Sequence, residues 1–335
     1  MFWKNKKVFV TGSSGFIGTS LLRRLTHYGA QVIAFDKEAP VDALFKREQT
    51  RITKVQGSLS NYTLLQTTLS EYSIDTIYHL GAQTQVQSAF SDPFTTYETN
   101  IRGTYCLLEA CRRSTKHIKR IIIASSDKAY GIHDTLPYTE ESSLQALYPY
   151  DVSKACTDLI ALSYYHTYGL PIVVTRAGNV YGGGDFNWER LIPSVICNLY
   201  ENTSPLLRGD GLSLRDYVFI EDIVEAYLLL GEQLQEKKLQ GEAFNLGSNK
   251  PTKVIDIVSA IAKFMNKEHL APIIQNAARG EIPHQYLSSK KAEKLIGWRP
   301  KVSLSLGLEL TIAWYEKFFQ ETSVDSKQEK HVEKV

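Results

Sequence analysis

Two stretches of this chain carry residue types that can do chemistry together: Ser125-Ser126-Asp127-Lys128 and, further on, Tyr150-Asp151-Val152-Ser153-Lys154. The first closes an apolar run, Ile121-Ile122-Ile123-Ala124, which reads as a buried strand delivering polar groups to its carboxyl edge. The second opens a helix, and its i, i+4 spacing puts Tyr150 and Lys154 on one face. A free tyrosine titrates near ~10 and a neighbouring ammonium favours the phenolate, so the pair is a way to make a base near neutral pH. Ser126, aimed at the same point, can hold a substrate oxygen while the phenol takes its proton. Asp127 and Lys128 add an acid and a second base. Such a group is a reaction centre provided that a hydride acceptor lies beside it.

The place of that acceptor is marked at the amino terminus. Lys7-Val8-Phe9-Val10 is a short apolar strand, followed at once by Thr11-Gly12-Ser13-Ser14-Gly15-Phe16-Ile17-Gly18. Glycines at this spacing permit a tight turn, close approach of backbone to a pyrophosphate, and close packing of the next helix on the strand. The free N–H groups of that helix start bind the anion. The helix is predicted from Ile17 to Tyr28, stopped by Gly29, and a second strand, Gln31 to Phe35, ends in Asp36. An acid there partners the adenosine ribose hydroxyl of NAD and repels the extra phosphate of NADP, although Lys37 beside it tempers the discrimination.

With both halves in view, the chain resembles the extended short-chain dehydrogenase/reductase family and, within it, the nucleotide-sugar 4,6-dehydratases. The glycine pattern, Ser126 on its strand end and the Tyr150/Lys154 pair carry the resemblance. Tyr78-His79-Leu80-Gly81-Ala82-Gln83 and Arg215-Asp216-Tyr217-Val218 reinforce it, and it extends to about Phe319. The Ser-Asp-Lys order is most similar to the CDP-glucose 4,6-dehydratases, relatives on dTDP-glucose or GDP-mannose tending to glutamate where Lys128 stands. Two departures are Ser58, where many relatives have an aspartate near the adenine, and Gly81 in place of a common alanine. The resemblance implies an NAD site formed by Gly12, Gly15, Phe16, Ile17, Gly18, Asp36, Lys37, Ser58, Leu59, Leu80, Ala82, Gln83, Tyr150 and Lys154. It implies a nucleotide-sugar site with Asn179, Arg190, Leu191, Arg215 and Arg279, the last two on the diphosphate, where a planar guanidinium offers bidentate hydrogen bonds.

Bulk properties agree. A chain of 335 residues with formal charge +2 holds one large or two joined α/β domains and gives no reason to expect a nucleic-acid or membrane partner. No apolar run approaches a membrane span and the amino terminus lacks a signal-like apolar core. Cys106, Cys111, Cys156 and Cys197 lie in helical patterns without metal-like pairing, and the eight histidines show no ligand spacing, so no metal is expected. A protein of the reducing cytoplasm fits this.

From Lys7 to about Arg176, short strands alternate with helices, the pattern of a doubly wound parallel (Rossmann) sheet in the α/β class. Further strands are predicted at Ile52 to Gln56 and Thr76 to Leu80 and a helix at Asn61 to Tyr72, with His79 a structural histidine. Thr84 to Pro93 reads as a loop towards the sugar, Phe94 to Ser114 as one long helix, and Tyr130 to Leu147 as a loop covering the site. Glu140 and Glu141 read as helix-start or solvated charges. The expected division is an NAD-binding domain at 1–178, a mostly nucleotide-sugar-binding α/β region at 179–319 and a disordered tail at 320–335. By resemblance, the helices at 94–114 and 149–168 form a homodimer contact.

The chemistry implied is loss of water across C5 and C6 of a nucleotide-linked hexose. Tyr150 takes the C4 hydroxyl proton, Lys154 lowers the Tyr150 pKa and holds the nicotinamide ribose, and Ser126 orients the C4 oxygen. Asp127, protonated, donates to the departing C6 hydroxyl, and Lys128, neutral, removes the C5 proton. A sugar 4-epimerase would use the same Tyr150, Lys154 and NAD but needs no acid and base at C5 and C6. A dinucleotide sensor without activity would not need the tyrosine–lysine pair.

Overall fold

Seven strands build one sheet: β1 (Lys7–Thr11), β2 (Gln31–Asp36), β3 (Ile52–Gln56), β4 (Thr76–His79), β5 (Arg120–Ala124), β6 (Ile172–Ala177) and β7 (Ala243–Leu246), ordered β7-β6-β5-β4-β1-β2-β3. The computed structural model describes residues 1–38, 51–114, 117–277 and 282–332, with side chains to 322. Every neighbouring pair in the sheet is parallel. Parallel strands buried on both faces read as continuous apolar runs rather than alternating ones, as β1, β2, β5 and β6 do, whereas the edge strand β3 carries Thr53, Lys54 and Gln56 and has no buried position. Val8, Val10, Val32, Ala34, Ile122 and Val173 enter the core on one face. Phe9, Ile33, Phe35, Ile121, Ile123 and Val174 enter the core on the other. Each fully buried Val, Ile, Leu or Phe contributes about 1.5–3 kcal/mol, so the two layers together fix the sheet and its register.

The order reverses between β1 and β4, which pair directly, and the strands' carboxyl ends open into a crevice there. His79, at the end of β4, is buried and tied by its ring nitrogens to Thr11 Oγ1 (2.8 Å) and Thr104 Oγ1 (3.2 Å). It is a structural histidine: burial pushes the imidazole down to about 3, the Lys154 charge adding to the effect.

Four segments differ from the sequence expectation. The stretch expected as a loop from Thr84 contains a helix, Val86–Ser91, after which Asp92 caps the next one, its Oδ1 accepting from Thr95 N at 3.0 Å. The single helix expected over Phe94 to Ser114 is Pro93–Tyr97, a π turn at Glu98–Arg102, and Gly103–Arg113. The stretch after Tyr130 does not line the main cleft; Tyr130 and Tyr138 instead pack with Leu287 as a satellite core. The last helix runs Leu304–Val332, through the stretch expected as a disordered tail. Its Glu, Lys and Gln residues are good helix formers, and Lys317 pairs with Glu321 at i, i+4 (3.8 Å).

The chain does not divide at 178 as a cut would. β7 and the helix Ile220–Gln233 belong to the Rossmann layers although they lie beyond it: Tyr227 carbonyl oxygen accepts from Tyr78 Oη at 3.0 Å, and β7 pairs with β6. What remains as a separate region is small. Leu214–Arg215 pairs antiparallel with Thr252–Lys253 and parallel with His284–Gln285, and Leu206–Leu207 pairs with Ile273–Ile274.

Candidate active site

A cleft of about 760 Å³ follows the carboxyl edge of the sheet and is lined by the loops after β1, β2, β4 and β5 and by residues of the small region. All fourteen residues expected around a dinucleotide line it: Gly12, Gly15, Phe16, Ile17 and Gly18; Asp36 and Lys37; Ser58 and Leu59; Leu80, Ala82 and Gln83; Tyr150 and Lys154. The glycine turn is a real cradle. Gly12 has φ +67°, and a Cβ on it would stand 2.6 Å from Gly81 N. The Gly81 departure has the same cause from the other side, since a Cβ there would lie 2.9 Å from Leu59 Cδ1 and 3.1 Å from Gly12 N. Asp36 Oδ2 accepts from Ser14 N (2.8 Å) and Oδ1 from Lys37 N (2.7 Å), which holds the carboxylate at the end of β2 where a ribose diol would reach it. These residues fit a dinucleotide of the NAD type.

The β4 side of the cleft is pinned by a residue that the sequence reading missed. Asn100, buried in the π turn, accepts from Gln83 N (2.7 Å) and donates to Gln83 O (2.9 Å) and Ser153 Oγ (2.8 Å). One side chain thereby fixes the Gln83 backbone and the helix Pro149–Tyr168 that carries Tyr150. A π turn widens the helix locally and is frequent at functional sites. A lone polar residue in a helical pattern carries no such signal.

At the β5 end the expected constellation is brought together. Ser126 Oγ lies 3.1 Å from Asp127 Oδ1 and accepts from Lys128 N at 3.2 Å. The Ser126 hydroxyl also acts on Tyr150, favouring its ionised form. Tyr150 is buried, and desolvation pushes its phenol up to about 12; Arg190 is the foremost group pulling it back, with the Ser126 hydrogen bond next among those that do. The sequence reading gives that pull to Lys154. In the structure Lys154 Nζ donates to Ala124 O at 2.9 Å, and burial lowers the lysine to about 8. The same helix face does carry both residues, but through-space charge on Tyr150 comes first from across the cleft.

Asp127 is 4% exposed, and burial pushes its carboxyl up to about 6 against the pull of Lys128 and Ser126. Its Oδ2 has no hydrogen-bond partner among the described residues. Asp151, which the sequence reading left without a role, is also buried and pushed up to about 6, with Lys128 again the opposing charge. Lys128 is half-buried and its Nζ donates to Gln285 Oε1 at 3.3 Å.

On the substrate side, Asn179, Arg190 and Leu191 line the cleft. Arg190 Nη1 also donates to Asp185 Oδ2 at 2.9 Å. Arg215 differs from its expectation: it is buried beside the cleft rather than lining it, and its Nη1 donates to the carbonyls of Leu214 and Pro283, both at 3.0 Å. Arg279 lies outside the described residues. An exposed cation that does line the cleft is Arg208, which sequence reasoning did not single out. Glu140, expected as a solvated charge, is half-buried and accepts from Asn245 N at 2.8 Å, and burial raises its carboxyl; Glu141 is exposed.

The arrangement offers a phenol, a hydroxyl, a protonatable carboxyl and an amine around one point beside a dinucleotide cradle. Comparison with known proteins is consistent with it. The family model described as GDP-mannose 4,6 dehydratase matches residues 9–311. A trifunctional UDP-glucose 4,6-dehydratase/UDP-4-keto-6-deoxy-D-glucose 3,5-epimerase/UDP-4-keto-L-rhamnose-reductase of Arabidopsis thaliana is 31% identical over 326 residues, spanning 93% of this chain and 47% of that protein. The chain thus spans about half the length of that relative. Among solved structures, a dTDP-glucose 4,6-dehydratase of Bacillus anthracis in complex with NAD superposes with a TM-score of 0.82 at 31% identity, over 93% of this chain and 97% of that one. An epimerase of Methanothermobacter thermautotrophicus superposes with a TM-score of 0.88 at 27% identity, over 95% and 94%.

Proposed function

The chain belongs to the GDP-mannose 4,6 dehydratase family, and from that membership we propose that it is an NAD-dependent nucleotide-sugar 4,6-dehydratase, a hydro-lyase. The observation that carries the reading is Asp127: a carboxyl buried in the cleft, displaced towards its protonated form, with one oxygen unpartnered, next to Lys128 and Tyr150. Perturbed groups gathered in a cleft mark chemistry. When bound, NAD supplies the acceptor for the C4 hydride and the donor for its return at C6.

The residues divide the remaining work. Tyr150 takes the proton of the C4 hydroxyl, and Ser126 holds the C4 oxygen. The ketone formed at C4 acidifies the C5 hydrogen, so oxidation precedes elimination. Lys128, in its neutral form, removes the C5 proton; Asp127, protonated, gives its proton to the C6 hydroxyl that leaves as water. Hydride at C6 and a proton at C5 complete a 4-keto-6-deoxy sugar. Arg190 and Asn179 meet the nucleotide diphosphate, with Arg208 the further cation facing it.

The finer reading is CDP-glucose as substrate, supported by the Ser126-Asp127-Lys128 order. Relatives named for UDP- and dTDP-glucose stand at the same 31% identity, so overall similarity does not select the base. A 4-epimerase is the second reading, favoured by the likeness to a solved epimerase; the Asp127–Lys128 pair argues against it. One experiment addresses all of these. Given CDP-, dTDP-, UDP- and GDP-sugars in deuterated water, the enzyme is expected to turn over CDP-glucose best and to place deuterium at C5 of a 4-keto-6-deoxy product. Lys128→Met is expected to oxidise C4 and stop, accumulating reduced cofactor. An epimer with its C6 hydroxyl intact would sink the dehydratase reading.

A homodimer through 94–114 and 149–168 belongs to the same proposal. Phe94, Tyr105, Leu159 and Tyr168 on these helices are exposed, more apolar surface than a solvated face needs. Sedimentation of Leu159→Glu as a monomer, against a wild-type dimer, is the expected outcome; a monomeric wild type would remove the proposal.

A further inference from the structure

Gln285 stands on the two-residue strand His284–Gln285, in register with Arg215 on its parallel neighbour. It is 1% exposed. Amides buried so deeply ordinarily use both heads. Here one is used: Oε1 accepts from Lys128 Nζ at 3.3 Å, while Nε2 has no partner among the described residues. With Lys128 protonated its nitrogen can only donate, so the head that meets it is the oxygen. An apolar side chain would fill this position without an unpaired donor. What the amide adds is therefore the acceptor for Lys128.

The other groups facing that amine are acids. Asp127 comes from its own turn, and Asp151 from the first turn of the helix Pro149–Tyr168. A carboxylate beside a lysine favours the charged form, whereas an amide accepts the N–H and adds no charge. We infer that Gln285 is the positioning residue for Lys128: it reaches from the small region, fixes the direction of the amine at the cleft through a neutral acceptor, and serves the elimination rather than the oxidation. This rests on the reading of Lys128 as the C5 base.

Two variants test it. Gln285→Met keeps the length and removes the acceptor; Gln285→Glu keeps an acceptor and adds a charge. With CDP-glucose, Gln285→Met is expected to reduce bound cofactor at the wild-type rate and to saturate normally. Its exchange of the C5 hydrogen with deuterated water falls about tenfold or more, the scale of a lost hydrogen bond to a charged group. Gln285→Glu retains exchange, but the acid limb of its pH profile moves to higher pH. Wild-type exchange in Gln285→Met overturns the inference, and so does an equal fall in oxidation and exchange, which marks a merely structural residue. Should Gln285→Met fail to fold, Gln285→Glu decides: an unshifted pH profile overturns the inference. Wild-type elimination by Lys128→Met is the separate result that removes the base reading itself.

Discussion

Two buried polar clusters grow from the carboxyl ends of β5 and β6, and they are built on opposite terms. Around Arg176 the groups are paired. Its Nε and Nη2 meet the two oxygens of Asp158 at 2.7 and 3.0 Å, and its Nη1 donates to Tyr130 Oη at 2.8 Å. Tyr130 Oη donates to Asn245 Oδ1 (2.7 Å), and Asn245 Nδ2 to Tyr138 O (3.1 Å). Among the described residues, none of these side chains has a buried atom without a partner. Around Asp127 the terms reverse: among the described residues, a carboxyl oxygen without a partner and two buried carboxyls displaced to about 6. Pairing that is complete holds strands and loops together; pairing left open beside a cleft leaves groups ready to exchange protons.

If that contrast is right, mutations in the two clusters should separate activity from stability. The largest effect is expected from Tyr150→Phe, which deletes the proton acceptor and little volume. Oxidation should slow by about 10²–10⁴-fold, the usual worth of a positioned base, with the melting temperature unchanged. A mutant that still reduces its bound cofactor when given nucleotide sugar would remove Tyr150 from the base role.

Next comes Arg176→Met, which leaves the fully buried Asp158 carboxylate without its cation. Breaking one partner of such a pair costs about 3–5 kcal/mol in urea unfolding, while turnover per folded molecule should stay near wild type. Lost turnover at full stability would break the comparison from this side.

The smallest effect has the opposite sign. The folded-state value of Asp127 is raised to about 6 from an ordinary 3.8, so the folded protein holds this proton more tightly than the unfolded chain. That contribution is fully present below the ordinary value and is lost as pH rises through the folded one. Asp127→Asn, uncharged at every pH, should therefore be more stable than wild type at pH near 7, on the order of 3 kcal/mol, and equal to it in acid below the ordinary carboxyl range. A stability difference of the same size at both ends of that range would mean that burial is not what displaces Asp127. Elimination by wild type should weaken over the same interval as the acid loses its proton.

Much of this molecule was legible in its sequence because it depends on near neighbours along the chain. A strand followed by a glycine turn and a helix specifies the cradle locally, and Gly12 must be glycine because its own φ is positive. The spacing of Tyr150 and Lys154 sets a shared helix face whatever else the chain does, and the apolar run before Ser126 delivers that hydroxyl to the sheet edge. Tertiary structure decided what reaches across. Gln285 meets Lys128 from 157 residues away, Asn100 ties Gln83 to Ser153, and Arg190 rather than Lys154 is the foremost charge acting on Tyr150. It also turned Arg215 to two backbone carbonyls and left Arg208 in the cleft. Dihedral preference and periodicity act over a few residues and can be read from their order. Desolvation and pairing act between atoms that only the packed fold brings within a few ångströms, so the residues that tune the chemistry appear only there.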